Sequence, residues 1–153
     1  MRWLELKVPP VAQFILAALL MGVTSRSLPH GDFAFPGQLL ASSVVLLAGG
    51  LVGMAGVRAF LRVGTTANPL KPAEASRLVS DGIYRFSRNP MYLALLLALC
   101  AWGLWLGNAW ALLGPVLFVA AMNRLQIQPE ERALEQLFGD DYRAYCRRVR
   151  RWL

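Results

Sequence analysis

The chain has 153 residues, enough for one domain of ordinary size. Apolar residues make up 56% of it, or about 64% with the 13 glycines, and only 16% are charged, against roughly 45–50% apolar and roughly 25% charged in soluble domains. The net charge is +7, but the basic residues flank apolar blocks rather than forming a nucleic-acid-binding face, so the composition excludes disorder, a coiled coil and a nucleic-acid partner, and points to a membrane protein.

Four apolar blocks follow in order: 11–24, 38–63, 91–106 and 109–127, the last two separated by the turn-forming pair Gly107-Asn108. Crossing ~30 Å of hydrocarbon takes ~20 helical residues, so the first and third are short and need local thinning of the bilayer or snorkelling ends. Backbone in lipid must satisfy its own hydrogen bonds, and unbroken apolar runs do so as helices. With the N-terminus inside and four spans, 15 of the 16 basic residues fall on the cytoplasmic side and Arg26 alone falls outside. That asymmetry sets four spans with both ends cytoplasmic. The segment after the first block, Ser25 to Pro29, lacks an alanine-x-alanine cleavage pattern, so an uncleaved first span is expected rather than a signal peptide.

Other residues along the way read as packing. His30 lies in an outer loop with too few partners for a metal site, so no metal is expected. In the second block Gly49, Gly50, Gly53 and Gly56 place small residues at spacings of three and four, which lets another helix approach closely, within the chain by default. Cys100 reads as a small core residue, and two cysteines in such surroundings do not form a disulfide framework. Trp102, Trp105 and Trp110 read as an aromatic belt at the outer interface. Near the C-terminus, Leu134, Leu137, Phe138, Tyr142, Tyr145, Val149 and Trp152 recur at helical spacing, with arginines mostly off the stripe. This predicts an amphipathic helix lying at the interface.

Polar clusters beside a bilayer carry the chemistry. One is 76–92 and the other is 126–132, and the hairpin of the third and fourth blocks brings them together on the cytoplasmic side. Each has an ordinary structural role as well. Asn89-Pro90 and Pro129-Glu130-Glu131 are helix starts, and Asp81-Gly82 is a turn. Together they gather arginines, carboxylates, an amide and tyrosines, which suits a ligand with both charges and an apolar part.

The string Gly82-Ile83-Tyr84-Arg85-Phe86-Ser87-Arg88-Asn89-Pro90-Met91-Tyr92 resembles the glycine-x-tyrosine…arginine-histidine-proline-x-tyrosine motif of the isoprenylcysteine carboxyl methyltransferase family. Glu130-Glu131-Arg132-Ala133-Leu134, then 138–145 and Val149-Arg150-Arg151-Trp152, resemble its closing signature. The likeness covers residues 65–153 of what reads as one domain, and residues 1–64 add two generic spans. It implies S-adenosylmethionine as methyl donor, held on the cytoplasmic side by Ser76, Arg77, Leu78, Val79, Tyr84, Asn89, Pro90, Met91, Tyr92 and Glu130. Glu130 would meet the donor's ammonium, and the tyrosines and Leu78 would flank its adenine. The chain departs from that family twice. Asn89 stands where histidine is usual, keeping a hydrogen bond without titrating. Gln126 stands where an arginine faces the substrate, and it leaves the acceptor open among a carboxylate, a thiol and an amine on a lipid or other apolar small molecule. Methyl transfer is an in-line displacement governed by positioning. Glu131 is the nearest base, and Arg88 is the second residue expected at the reacting centre.

Two other readings remain: an NADPH-dependent membrane reductase, whose relatives share a similar arginine-asparagine-tyrosine stretch, and a small membrane or lipid-binding protein with no activity. The paired glutamates and the Phe138-Gly139…Tyr142 ending favour the methyltransferase. A bacterial inner membrane is the expected location, and oligomeric state is left open.

Overall fold

The computed structural model describes residues 4–64 and 77–153. These form five helices: α1 (Pro10–Ser27), α2 (Gln38–Val63), α3 (Pro90–Leu106), α4 (Leu113–Met122) and α5 (Gln128–Arg148), with short 3₁₀ turns at Pro29–Gly31 and Gly82–Arg85. Among the described residues no strand occurs beyond one isolated bridge between Asp32 and Asn108. The fold is all-helical, as expected. Two helices, α1 and α2, are long and apolar enough to cross a membrane, and α3 is an apolar helix of 17 residues. Along α1 and α2, Leu16, Leu19, Val23, Leu39, Leu47 and Leu51 are exposed, which water would penalise and lipid does not.

Local sequence sets the boundaries. Prolines at the first position start α1 and α3, where a missing N–H costs nothing. At the C-terminal end of α3, Gly107 takes φ 62° and its N–H returns to the carbonyls of Gly103 and Leu104, both at 3.2 Å. No other residue fits there. A Cβ would lie 2.7 Å from the Phe33 carbonyl oxygen and 2.8 Å from Gln38 Nε2.

Asn108, fully buried, then ties the outer loop to the hairpin. Its Nδ2 donates to the Leu28 carbonyl at 2.8 Å and Asp32 Oδ1 at 2.7 Å, while its Oδ1 accepts from the Trp110 and Ala111 N–H groups. The block expected as a single helix over 109–127 therefore begins as a turn stitched to Asn108, and becomes helical only at Leu113.

The far end of that block also departs from expectation. Pro129 reads as a fresh helix start, yet the helical path runs on from α4 through a π turn (Asn123–Ile127) into α5. A proline ring in a regular helix collides with the carbonyl four residues back, here Leu125, and cannot donate to it. The wider π turn relieves the collision. The Leu125 carbonyl so freed accepts the N–H of Leu6 at 2.9 Å, which pins the N-terminal segment over the joint.

Helix α2 packs most extensively on α3. Cβ atoms built on Gly49 and Gly53 would touch Leu97 and Ala94 at 3.1 Å, and one on Gly56 would touch Met91 at 3.0 Å. The glycine stripe is thus spent on intramolecular packing, while Gly50 faces open space. One core gathers Met21, Tyr92, Leu99, Phe118, Met122 and Ile127 between α1, α3 and α4. Trp102 donates to the Ala18 carbonyl at 3.1 Å and stacks on Trp105 with centroids 5.0 Å apart. The second core is built by the C-terminal stripe. Tyr142, Tyr145 and Val149 pack on Val79 and Tyr84, joined by Phe60 and Val63 from the end of α2. The stripe expected against lipid therefore covers the 78–86 loop, and only Leu137 is left exposed. Gly139, at φ 51° and ψ −121°, bends α5 so that both halves reach that loop.

Candidate functional site

Three segments converge where α3 begins: residues 84–92, the 126–131 joint, and the tail after α5. At the centre is Glu130, which is partly buried. Tyr92 donates its hydroxyl to Glu130 Oε1 at 2.5 Å, and the Gln126 amide donates to the same oxygen at 2.5 Å. Gln126 is fully buried, placed by the one-turn spacing that stacks residues 126 and 130 on one face. Burial pushes the Glu130 carboxyl up to about 7, opposed by the Tyr92 and Gln126 hydrogen bonds and reinforced by the charge of Glu131. Among the described residues no arginine or lysine pairs with it. A partly buried carboxylate with two neutral donors is a site for a cation.

Tyr84 lies close enough for the Glu130 charge to add to the effects of burial and of Tyr145, all raising its phenol above the ordinary value. Its ring meets Phe60 edge-on at 5.5 Å, and its carbonyl accepts the Tyr145 hydroxyl at 2.7 Å. Val79 is buried in the same aromatic cluster, with Leu78 partly covered there. Arg77 is exposed. Ser76 lies outside the described residues.

Adjacent residues on a helix point about 100° apart, so Glu131 turns away from Glu130. It accepts Arg88 Nη2 at 3.0 Å and a two-pronged contact from Arg151, Nε at 3.0 Å and Nη2 at 2.6 Å. Asn89 occupies the N-cap position of α3, yet its side chain does not cap. Its Nδ2 donates to the Arg151 carbonyl at 2.9 Å, while its own N–H is taken by Ser87 Oγ at 3.1 Å. Pro90 and Met91 lean on Gly56 of α2, so Met91 is a packing residue in this arrangement.

The tail was not singled out for a role in the sequence, although its signature was visible there. The Arg150 carbonyl accepts the Arg88 N–H at 3.0 Å, and Trp152 Nε1 donates to Asn123 Oδ1 at 3.1 Å. Arg88 also contacts Cys146 Sγ. Both cysteines are free thiols, and among the described residues no cluster of His, Cys, Asp and Glu is arranged to hold a metal.

An apolar groove of about 560 Å³ lies between α1, α2 and α3, lined by Phe14, Leu39, Leu46, Ala98, Trp102 and Trp105, among others. The Ser42 and Ser43 hydroxyls in its wall are returned to carbonyls of their own helix at 2.8 Å, leaving an almost wholly apolar surface.

The phospholipid methyltransferase family matches residues 38–141, more than half of the chain, from α2 through the bend in α5. A 63-residue protein of Haemophilus influenzae, described as uncharacterized, is 57% identical over its whole length, which covers 41% of this chain. No solved structure matches.

Proposed function

The chain belongs to the phospholipid methyltransferase family, which takes in the isoprenylcysteine carboxyl methyltransferase-like membrane enzymes, and from that premise we propose that it methylates a lipid-linked or apolar acceptor with S-adenosylmethionine as donor. Family membership makes it a methyltransferase; the donor, the acceptor and the residue roles are our reading. The observation that carries it is Glu130, a partly buried carboxylate with neutral partners at the meeting point of both sequence motifs. The donor's ammonium is a cation of the size and charge this position favours, and ionised Glu130 would hold it. Tyr84, Leu78 and Val79 supply an apolar and aromatic wall for adenine, and Ser76 and Arg77 complete the stretch on that side. Asn89, Pro90, Met91 and Tyr92 shape the remaining edge.

When bound, the donor supplies an electrophilic methyl group, so this chain's part is to bind, orient and exclude water. Burial of Tyr92 and Gln126 beside the partly buried Glu130 limits the water that reaches the centre. Gln126 puts a neutral amide where a carboxylate acceptor would need a cation. This favours an acceptor without a negative reacting group, a lipid amine or a neutral thiol, in keeping with the phospholipid acceptor named by the family. The topology that fits is four spans, both ends cytoplasmic, in a bacterial inner membrane, with α3 short and α4 completed by the π turn. The lateral groove has the volume of a small-molecule site and an apolar lining that suits a lipid chain.

Equilibrium binding to detergent-purified protein tests the reading. S-adenosylhomocysteine is expected to bind the wild type and to be lost in Glu130→Ala, with no binding of NADPH. Binding of NADPH alone makes the protein a reductase, and binding of neither supports a non-enzymatic membrane protein.

A further inference from the structure

We infer that Glu131 is a positioning residue: one carboxylate draws Arg88 and Arg151 together and so clamps the C-terminal tail across the start of α3, fixing the wall of the donor pocket. This rests on the donor-pocket reading of Glu130 given above and assigns to its neighbour a role other than proton transfer.

Glu131 is heavily engaged. Its Oε1 takes Arg88 Nη2 and Arg151 Nε, both at 3.0 Å, and its Oε2 takes Arg151 Nη2 at 2.6 Å. A base must turn a lone pair toward the acceptor's proton, and both oxygens of this carboxylate are already turned to guanidinium groups. The pairs are largely shielded from water, with side-chain exposures of 14% for Arg88, 20% for Glu131 and 33% for Arg151. They are therefore screened less than surface pairs.

What the clamp holds is specific. The backbone of the tail runs beside the loop that opens α3, with the Arg88 N–H on the Arg150 carbonyl at 3.0 Å and Asn89 Nδ2 on the Arg151 carbonyl at 2.9 Å. Asn89 is thereby diverted from capping α3 to gripping the tail. Trp152 closes the other side on Asn123, in the π turn. The loop, the π joint and the tail have no covalent connection near this point, and among the described residues Glu131 is the side chain that bonds to two of them from the third. Three residues into α3 stands Tyr92, bonded to Glu130 on the neighbouring position of the joint. Releasing Glu131 frees the tail and lets the start of α3 move relative to Glu130.

The test uses the full chain in detergent, with S-adenosylhomocysteine binding and methyl-transfer kinetics for the wild type, Glu131→Gln, Glu131→Asp and Arg151→Gln. In Glu131→Gln the clamp predicts homocysteine-compound affinity and donor KM worse by about tenfold, the change that about 1.4 kcal/mol produces, with kcat at saturating donor within about threefold of wild type. Glu131→Asp keeps the charge and is expected to recover most of the affinity, and Arg151→Gln to lose it as Glu131→Gln does. If Glu131→Gln does not fold, Arg151→Gln, at the more exposed arginine, carries the same comparison. A fall in kcat with unchanged affinity makes Glu131 a base and overturns the clamp. A lower unfolding temperature with unchanged donor KM makes it a structural residue and also overturns it. Absence of binding to the wild type overturns the donor pocket itself, and the clamp with it.

Discussion

Replacing Glu130 with glutamine tests whether the site stores instability for the sake of a cationic ligand. In the ligand-free protein the Glu130 carboxyl is raised from the ordinary 4.5 to about 7, chiefly by burial. A folded-state value above the unfolded one means that the protonated form favours folding. The contribution is fully present below 4.5 and is lost as pH rises through about 7. At about 1.4 kcal/mol for each pH unit between the two values, the charged residue costs the folded state about 3 kcal/mol above neutrality. Glutamine keeps an oxygen for Tyr92 and Gln126 to donate to, and does not titrate. Glu130→Gln is therefore expected to unfold at nearly the wild-type temperature at about pH 5 and at a clearly higher one at about pH 8.5, in detergent and without ligand. The gap should open between about pH 4.5 and about pH 7 and stay constant above that. A difference that is the same at both pH values, or a variant less stable at the alkaline one, refutes the argument that burial strains this carboxylate.

The glycine stripe gives a paired prediction: Gly49→Leu forces α2 from α3, because its Cβ already sits 3.1 Å from Leu97 and 3.2 Å from the Ala94 carbonyl, whereas Gly50→Ala meets nothing and gains helix propensity of roughly 0.5–1 kcal/mol. Thermal unfolding of the two variants should move in opposite directions. Asn108→Ala removes a fully buried amide that bonds four groups, of which those of Leu28, Asp32 and Trp110 belong to exposed residues, and is expected to cost about 1–3 kcal/mol, read as a lower unfolding temperature and faster proteolysis of the loop between α1 and α2. Pro129→Ala restores an N–H aimed at the Leu125 carbonyl, so the Leu6 N–H is displaced, and hydrogen exchange at Leu6 should quicken while the α4–α5 path tightens to a regular helix.

Much of the fold was legible because prolines and glycines punctuate it. The block read as 38–63 is α2 to the residue, and Asn89-Pro90 and Gly107 bracket α3. The site was legible as two motifs one hairpin apart, and the structure does bring Tyr92, Gln126 and Glu130 into one hydrogen-bonded group. The rest depended on contacts that local pattern does not encode. Pro129 looks the same whether it opens a helix or sits after a π turn, and the difference lies in the carbonyl of Leu125 finding Leu6, more than a hundred residues away. The amphipathic stripe of α5 announced a buried face without naming its partner, because lipid and the side chains of Leu78, Val79, Ile83 and Tyr84 offer it the same apolar contact. Arg151 was legible only as part of the closing signature, and the carboxylate that it holds lies 20 residues earlier. Asn89 stood in a capping position and spends its side chain elsewhere.

The most direct measurement is transfer of labelled methyl from S-adenosylmethionine to a bacterial lipid extract, by the purified chain in detergent or vesicles, beside Glu130→Ala. The account predicts label in the organic-soluble fraction with the wild type and none with the variant. Consumption of NADPH with no methyl transfer, or equal labelling by the variant, would contradict it.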